Sequence, residues 1–484
     1  MQSLCEHALD VAKKLGASYA DVRAIQQETE ELGTKDETVA RLNKSSSEGI
    51  GIRVRGKGGW GFASTQDLRK AGIEKAVRRA VDLGLASSAC VNPQVTLLPE
   101  PSYQALWVSP HLVDPFSISI EDKLDILLQC ARSIRAVKGT TLAIGYMTFI
   151  RETKLFMSSE GSKIEQRFVR SSCGIEAWAS KDSERQKRSY PSSFGGQHEL
   201  AGWELIHKWD LPGNSQRIAQ EVVALLSAEA CPSENADLIL GSSQLALQIH
   251  ESMGHPSELD RALKQEINFA GASFLTPDKL HVLQYGSPIV NLVADATKAG
   301  ALGSFGFDDE GVQAQRIDLV KNGIFCGYLS SRDTGGMIGL SRSGGMMRAE
   351  SWNCVPIIRM TNISLVPGDS GSLEDIIADT EYGVYMDFNR SWSIDQLRYN
   401  FQFSTEIGWL IKGGKRVKLL KNCSYAGVAP QFWNSCDAIG GVEDYIDWGV
   451  PNCGKGQPMQ SMWTGHGASP ARFRGVDLGM AHKA

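Results

Sequence analysis

The sequence predicts an α+β protein, with a mixed α/β N-terminal domain over residues 1–228 followed by a β-rich, barrel- or sandwich-like C-terminal domain over 229–484. Three observations carry this expectation. The 484 residues exceed the usual domain size of about 100–200, so more than one core is expected. The first half alternates between segments with helical and with strand periodicity. The second half is dominated by short strand patterns punctuated by glycine, which suits a barrel or a sandwich without choosing between them.

Taken in order, Leu4, Ala8, Val11, Ala12 and Leu15 recur at helical spacing and predict an amphipathic first helix. Apolar and polar residues alternate over 49–55, the mark of a strand with one buried face. Thr65 is the expected N-cap of a helix carrying Ile73, Ala76, Val77, Ala80 and Val81 on one face. A second helix is expected through Leu124, Leu127, Leu128 and Ala131, after a proline-bearing connector at 93–115. Strand patterns over 147–180 flank Glu160-Gly161 and predict a long hairpin. A helix at 216–226 and the apolar strand Leu238-Ile239-Leu240 bracket the expected domain boundary. Beyond His255, strand candidates at 289–293, 324–329 and 399–403 support the β-rich reading.

Composition narrows the function. Hydrophobic residues at 42% and charged residues at 22% are ordinary for a globular protein. The net charge of -5, with no basic run beyond Lys412-Gly413-Gly414-Lys415-Arg416, argues against a nucleic-acid partner. No stretch reaches the roughly 18 apolar residues that a membrane span needs, and the N-terminus lacks a signal-peptide pattern, so a soluble, cytoplasmic protein is expected. Ten cysteines without CxxC spacing fit reduced thiols.

The chemistry is concentrated in His250-Glu251-Ser252-Met253-Gly254-His255, which follows the buried-helix pattern of Leu245, Ala246, Leu247 and Ile249. Two imidazoles plus a carboxylate able to act on a metal-bound water are the equipment of a hydrolytic zinc site. In HExxH segments the histidines are four residues apart, about 40° around a regular helix. Here they are five apart, about 140°, so an ideal helix would turn the rings away from each other. The helix must therefore end or be distorted near Gly254 and Pro256, glycine by admitting unusual dihedrals and proline by stopping the helix. A π-type bulge is the other solution. A buried helix end holding two hydrogen-bonded histidines would give the same pattern.

The segment continues as Pro256-Ser257-Glu258-Leu259-Asp260, and the whole resembles the TldD/PmbA family of metallopeptidases. Further pieces match that family in order: the run from Phe307-Asp308-Asp309-Glu310-Gly311 to Arg316, Arg348-Ala349-Glu350-Ser351-Trp352, the stretch from Pro356 through Arg359 to Asn362, and Cys453-Gly454-Lys455-Gly456-Gln457-Pro458. Gly16-Ala17-Ser18-Tyr19-Ala20-Asp21-Val22-Arg23 extends the likeness across nearly the whole chain. The resemblance implies that His250, His255 and Cys453 bind Zn2+, with Glu251 as general base, in a subunit that keeps the histidine motif. It also implies homodimers, or heterodimers with a motif-less family member, acting on peptides or unfolded proteins.

Other residues carry weaker signals. Cys436 and Cys423 compete with Cys453 for the third ligand position, and only the Gly-Lys-Gly context singles out Cys453. Glu258 and Asp260 are expected to orient a histidine ligand. Arg348 and His466 could stabilise an oxyanion or hold substrate, although a structural role is the simpler reading of each. Asp308, Asp309 and Glu310 read as a turn with one solvated face. The function expected is zinc-dependent peptide hydrolysis; the alternative is a non-catalytic peptide-binding or scaffold subunit with a structural metal.

Overall fold

The alternating run at residues 49–55 is one end of a much longer strand. The computed structural model describes residues 1–90, 96–266, 271–456 and 459–480. Pro93 of the connector, and Gln457 and Pro458 of the cysteine segment, lie outside the described residues. Helix α1 (Gln2–Lys14) leads into β1 (Tyr19–Lys35), β2 (Thr38–Gly56), β3 (Gly59–Thr65), α2 (Lys70–Ser87), β4 (Gln104–Val108) and α3 (Ile120–Arg135). The predicted hairpin follows as β5 (Thr140–Ser158) and β6 (Lys163–Lys181). Then come β7 (Glu184–Tyr190), β8 (Gln197–Glu199), α4 (Glu204–Trp209) and α5 (Leu211–Ser227). These strands make one sheet in the order β3-β2-β1-β5-β6-β4, with β7 and β8 also on β6.

The helices cover one face of this sheet in two patches. Ala8, Val11, Ile73 and Val77 of α1 and α2 pack on Val22, Ile50 and Ile52. Leu127 and Ile134 of α3 pack with Ile218 and Val222 of α5 over Phe149 and Ile175. Thr65 is not the cap that its position suggested. It closes β3, its hydroxyl accepts from the Asp67 N–H at 3.0 Å, and α2 starts only after Arg69.

The other face is charged and receives the carboxylate run, which corrects the expectation of a solvated turn. Asp308, Asp309 and Glu310 are 2%, 1% and 3% exposed. Asp309 accepts from Lys154 at 2.9 Å and Glu310 from Arg53 at 3.1 Å, while Arg53 also holds Asp21. Asp308 accepts from three backbone N–H groups, those of Glu310, Val312 and Met347. Buried polar groups persist when they are hydrogen-bonded in this way, and the contacts from Lys154 and Arg53 bind the carboxylate run to the first sheet.

After β9 (Glu229–Ala230) comes β10 (Glu234–Leu240), which runs parallel to Tyr382–Ile394 and antiparallel to Ala471–Met480. Ala471–Met480 pairs with Cys423–Val428, that strand with Asn400–Lys412, and Asn400–Lys412 returns to Tyr382–Ile394. The circuit closes, so of the two β-rich architectures left open by the sequence the protein has a five-strand barrel. Of the strands expected at 289–293 and 324–329, the first is shorter and shifted, Leu292–Asp295, and the second only shorter, Ile324–Phe325; both lie in a separate four-stranded sheet. Helix α6 (Ser242–Ile249) leaves the end of β10 and is buried at every position, with Leu245, Leu247 and Ile249 in the same core as Phe403, Tyr425 and Phe473.

A candidate metal centre at the end of a buried helix

Helix α6 is capped from a distance rather than by its own serines. The Gln244 N–H donates to Asp387 Oδ1 at 3.0 Å, and a Cβ on Gly241 would lie 2.2 Å from the same carboxylate. At the far end the helix widens into a π-type turn over His250–Gly254, closed by the His255 N–H on the His250 carbonyl at 3.1 Å. That bond spans five residues instead of four, so positions five apart stack on one side. The His250 and His255 ring centroids are consequently 4.8 Å apart. Gly254 contributes differently from expectation. Its φ is not left-handed, and what it supplies is space, since a Cβ there would sit 2.1 Å from Met360 Sδ.

The third group arrives on the strand Ile446–Lys455, where Cys453 faces Met462 across a hairpin. Its Sγ lies 3.7 Å from His255 Nε2, and the donor atoms of His250, His255 and Cys453 all fall within 4.8 Å of one another. All three residues are buried. The competing cysteines are turned elsewhere, Cys436 toward the Ala438 carbonyl and Cys423 toward that of Lys421, each at 3.9 Å.

Charge in the centre is set by burial opposed by named partners. Burial alone would raise the Cys453 thiol, but His255 and Arg359 outweigh it and hold the thiol below its usual range. Burial pushes His250 down to about 4, with Arg398 adding to the effect and Glu251 opposing it. Glu251 would likewise be raised by burial, yet Arg398 and then His255 keep it below the ordinary carboxylate range. Two imidazoles, a thiol held below its usual range and an ionised carboxylate on the same turn match the ligand chemistry of zinc, with three protein ligands of four.

Each histidine is oriented through its Nδ1. His255 Nδ1 lies 3.0 Å from Glu258 Oε2, as expected for Glu258. Asp260 does not share that role; it accepts from Lys455 at 2.8 Å. His250 Nδ1 lies 2.7 Å from His466 Nε2, which places His466 behind a ligand candidate. Burial, then His250, hold His466 well below the usual imidazole range. Arg348 donates through Nη1 to the carbonyls of Met360 and Trp463 at 2.7 and 2.8 Å, a backbone tie.

Arginines of the centre went unassigned from sequence, Arg359 and Arg398 among them. Arg359 donates through Nη2 to the Cys453 carbonyl and through Nη1 to that of Gln460, fixing the cysteine strand. Arg398 donates to Glu251 Oε2 from a turn in which its own φ is 63°. Asp395 braces that turn, its carboxylate accepting from the N–H groups of Tyr399 and Asn400 at 2.8 and 3.1 Å. Only the position of Arg359 within the arginine-bearing family stretch hinted at its part.

A closed barrel carrying a buried His/His/Cys donor set, with a carboxylate on the same turn, defines a candidate metallohydrolase. Three family models match the chain: PmbA/TldA metallopeptidase domain 1 at residues 20–84, the central domain at 113–228 and the C-terminal domain at 233–470. The chain belongs to the PmbA/TldD family. A metalloprotease of Methanocaldococcus jannaschii is 29% identical over 94% of this chain and 95% of its own length. A zinc metalloprotease TldD homolog of Saccharolobus solfataricus is 23% identical over 88% of this chain and 90% of that protein. Among solved structures, a candidate modulator of a DNA gyrase from Thermotoga maritima superposes with a TM-score of 0.78 at 17% identity, covering 99% of both chains. TldE from Thermococcus kodakarensis does so with a TM-score of 0.75 at 16% identity, covering 98% of this chain and 100% of that one. At these identities the two structures establish the shared fold.

Proposed function

We propose that the protein is a zinc-dependent peptidase acting on small or unfolded polypeptides, with His250, His255 and Cys453 as metal ligands and Glu251 as general base. The observation that carries this reading is the convergence of two imidazoles and one thiolate beside a carboxylate, made possible by the π-type turn. The metalloprotease names of relatives support hydrolysis, and the name of one of them includes zinc. Bound zinc supplies Lewis acidity, lowering the pKa of water to about 7 and polarising a carbonyl. Glu251, kept ionised by Arg398, is the group that takes the proton of the attacking water and returns it to the leaving amine. Glu258 and His466 hold the imidazoles, and Arg359 holds the strand that delivers the thiol.

The chain is read as an N-terminal unit over 1–228 and a site-bearing unit over 229–484. It is placed in the cytoplasm, as a homodimer or paired with a motif-less family member.

The test uses the purified full chain, with metal content and peptide hydrolysis both measured. Wild type should carry about one zinc per chain, the first expectation of a three-ligand site. Glu251→Gln should keep the zinc and lose roughly 10²–10⁴-fold in turnover. Cys453→Ser should lose the zinc. A metal-free wild type, or a Glu251→Gln variant of normal activity, would overturn the reading.

A further inference from the structure

Behind the His250 ring stands a further imidazole that is not among the three donors. His466 lies on the strand Gln460–Ala468 and is 0% exposed. Its Nε2 is 2.7 Å from His250 Nδ1, and its own Nδ1 is 3.1 Å from the carbonyl oxygen of Ile363. A carbonyl oxygen only accepts, so this contact puts the His466 proton on Nδ1. A neutral imidazole has one N–H, which makes His466 Nε2 an acceptor. His250 Nδ1 must then be the donor, and His250 Nε2 keeps its lone pair. Thr464 Oγ1, 3.3 Å from the same His466 Nε2, is a rotatable hydroxyl and fits this arrangement. The opposite arrangement would set a His466 lone pair against the Ile363 oxygen, two acceptors facing each other without water, which is costly in a buried site.

The chain from Ile363 through His466 to His250 therefore has one proton arrangement that satisfies every contact. It also brings no charge. Glu251 and Glu258 already bring two carboxylates to the donor set, and a third behind His250 would add to them. His255 is oriented by the anionic Glu258, whose charge Arg261 and Lys455 offset.

We propose that His466 is a positioning residue: anchored by the Ile363 carbonyl, it locks His250 in the Nδ1–H tautomer and so presents Nε2 as a ready ligand for a divalent metal. The ligand is thus set before any metal arrives. The inference rests on the metal-site reading above, and its test separates the two.

The full-length wild type, His466→Gln and His466→Leu are stripped of metal and titrated with zinc against a chromophoric chelator, with melting temperatures recorded alongside. Leucine keeps bulk but cannot accept a hydrogen bond; glutamine can accept one from His250 through its carbonyl and donate one to Ile363 through its amide. His466→Leu should weaken zinc binding by roughly 10–100-fold, the usual effect of losing the partner that orients a histidine ligand, and His466→Gln should recover most of it. A merely structural role would move the melting temperature without separating the two variants in zinc affinity. If the leucine variant fails to fold, 15N spectra of the metal-free, histidine-labelled wild type decide: His250 Nε2 should show the shift of an unprotonated nitrogen. A protonated Nε2, equal zinc affinities in wild type and His466→Leu, or equal losses in both variants would overturn the proposal while leaving the metal site standing. A wild type that binds no zinc would remove the site reading itself, and this inference with it.

Discussion

The carboxylate of Glu258 holds His255 from behind, with Oε2 3.0 Å from His255 Nδ1 and 2.7 Å from Arg261 Nε, while Oε1 faces Lys455 Nζ at 3.3 Å. All four side chains are buried. Glu258→Gln keeps the shape and removes the charge that Arg261 and Lys455 face. The variant is expected to lose about 3–5 kcal/mol of stability, the usual cost of removing one member of a buried ion pair. Zinc affinity should fall by roughly 10–100-fold, because a neutral amide orients His255 less strongly. Denaturant unfolding and zinc competition check the two effects; wild-type values in both would show that Glu258 does not hold the ligand.

Arg398 and Glu251 form the second charged pair of the centre, 7% exposed on each side chain. If Arg398 keeps the general base ionised and in place, the two residues are energetically coupled. A double-mutant cycle of Glu251→Gln and Arg398→Gln, read from urea midpoints of the metal-free protein, should give a coupling of at least about 1 kcal/mol. Additive losses would mean that the pair is incidental. With metal restored, Arg398→Gln should lower kcat more than KM, since it acts on the base rather than on peptide binding.

The sequence exposed some of this site and hid the rest for physical reasons. The five-residue spacing of His250 and His255 is local, so the need for a distorted turn could be worked out from helix geometry alone, and the π-type turn meets it. Cys453 is 198 positions from His255, and no local pattern connects them; family resemblance supplied that link. Arg398 sits 147 positions from Glu251 in a turn without periodicity, so nothing pointed to it. The carboxylates at 308–310 looked solvated because composition shows charges and not their partners; Arg53 and Lys154, on the facing side of the first sheet, let them be buried. Barrel and sandwich were indistinguishable because closure depends on the long-range parallel pairing of β10 with Tyr382–Ile394.

Gly254 offers a test of the turn itself. A methyl group there would meet Met360 Sδ at 2.1 Å in a core where Met360 is 0% exposed. Gly254→Ala should destabilise by about 1–3 kcal/mol, the range for overpacking. Met360→Ala should cost about 2–5 kcal/mol on its own by leaving a cavity. Combined, the two changes should cost less than their sum, because the new methyl occupies part of that cavity. Equilibrium unfolding of the three variants measures this. If the costs simply add, the new methyl does not use the space that Met360 vacates.

Outside the centre, His198 gives a prediction with a definite sign. Burial pushes its imidazole from the ordinary 6.5 down to about 4, although hydrogen bonding to the Phe194 carbonyl, 3.1 Å from Nε2, opposes the shift. Between these two values the folded protein keeps His198 neutral while the unfolded chain protonates it. The unfolded state then binds more protons, so stability rises with pH across that window. The contribution is fully present above 6.5 and is lost as pH falls toward 4. His198→Gln, which keeps a donor for Phe194 but cannot titrate, should shrink the drop in urea midpoint between neutral pH and pH near 4. Some drop should remain, because His250 and His466 are depressed by the same burial. The comparison is made on metal-free protein, where zinc binding cannot add its own proton release. An unchanged pH slope in His198→Gln would show that this imidazole is hydrated in the folded state and contributes nothing to acid sensitivity.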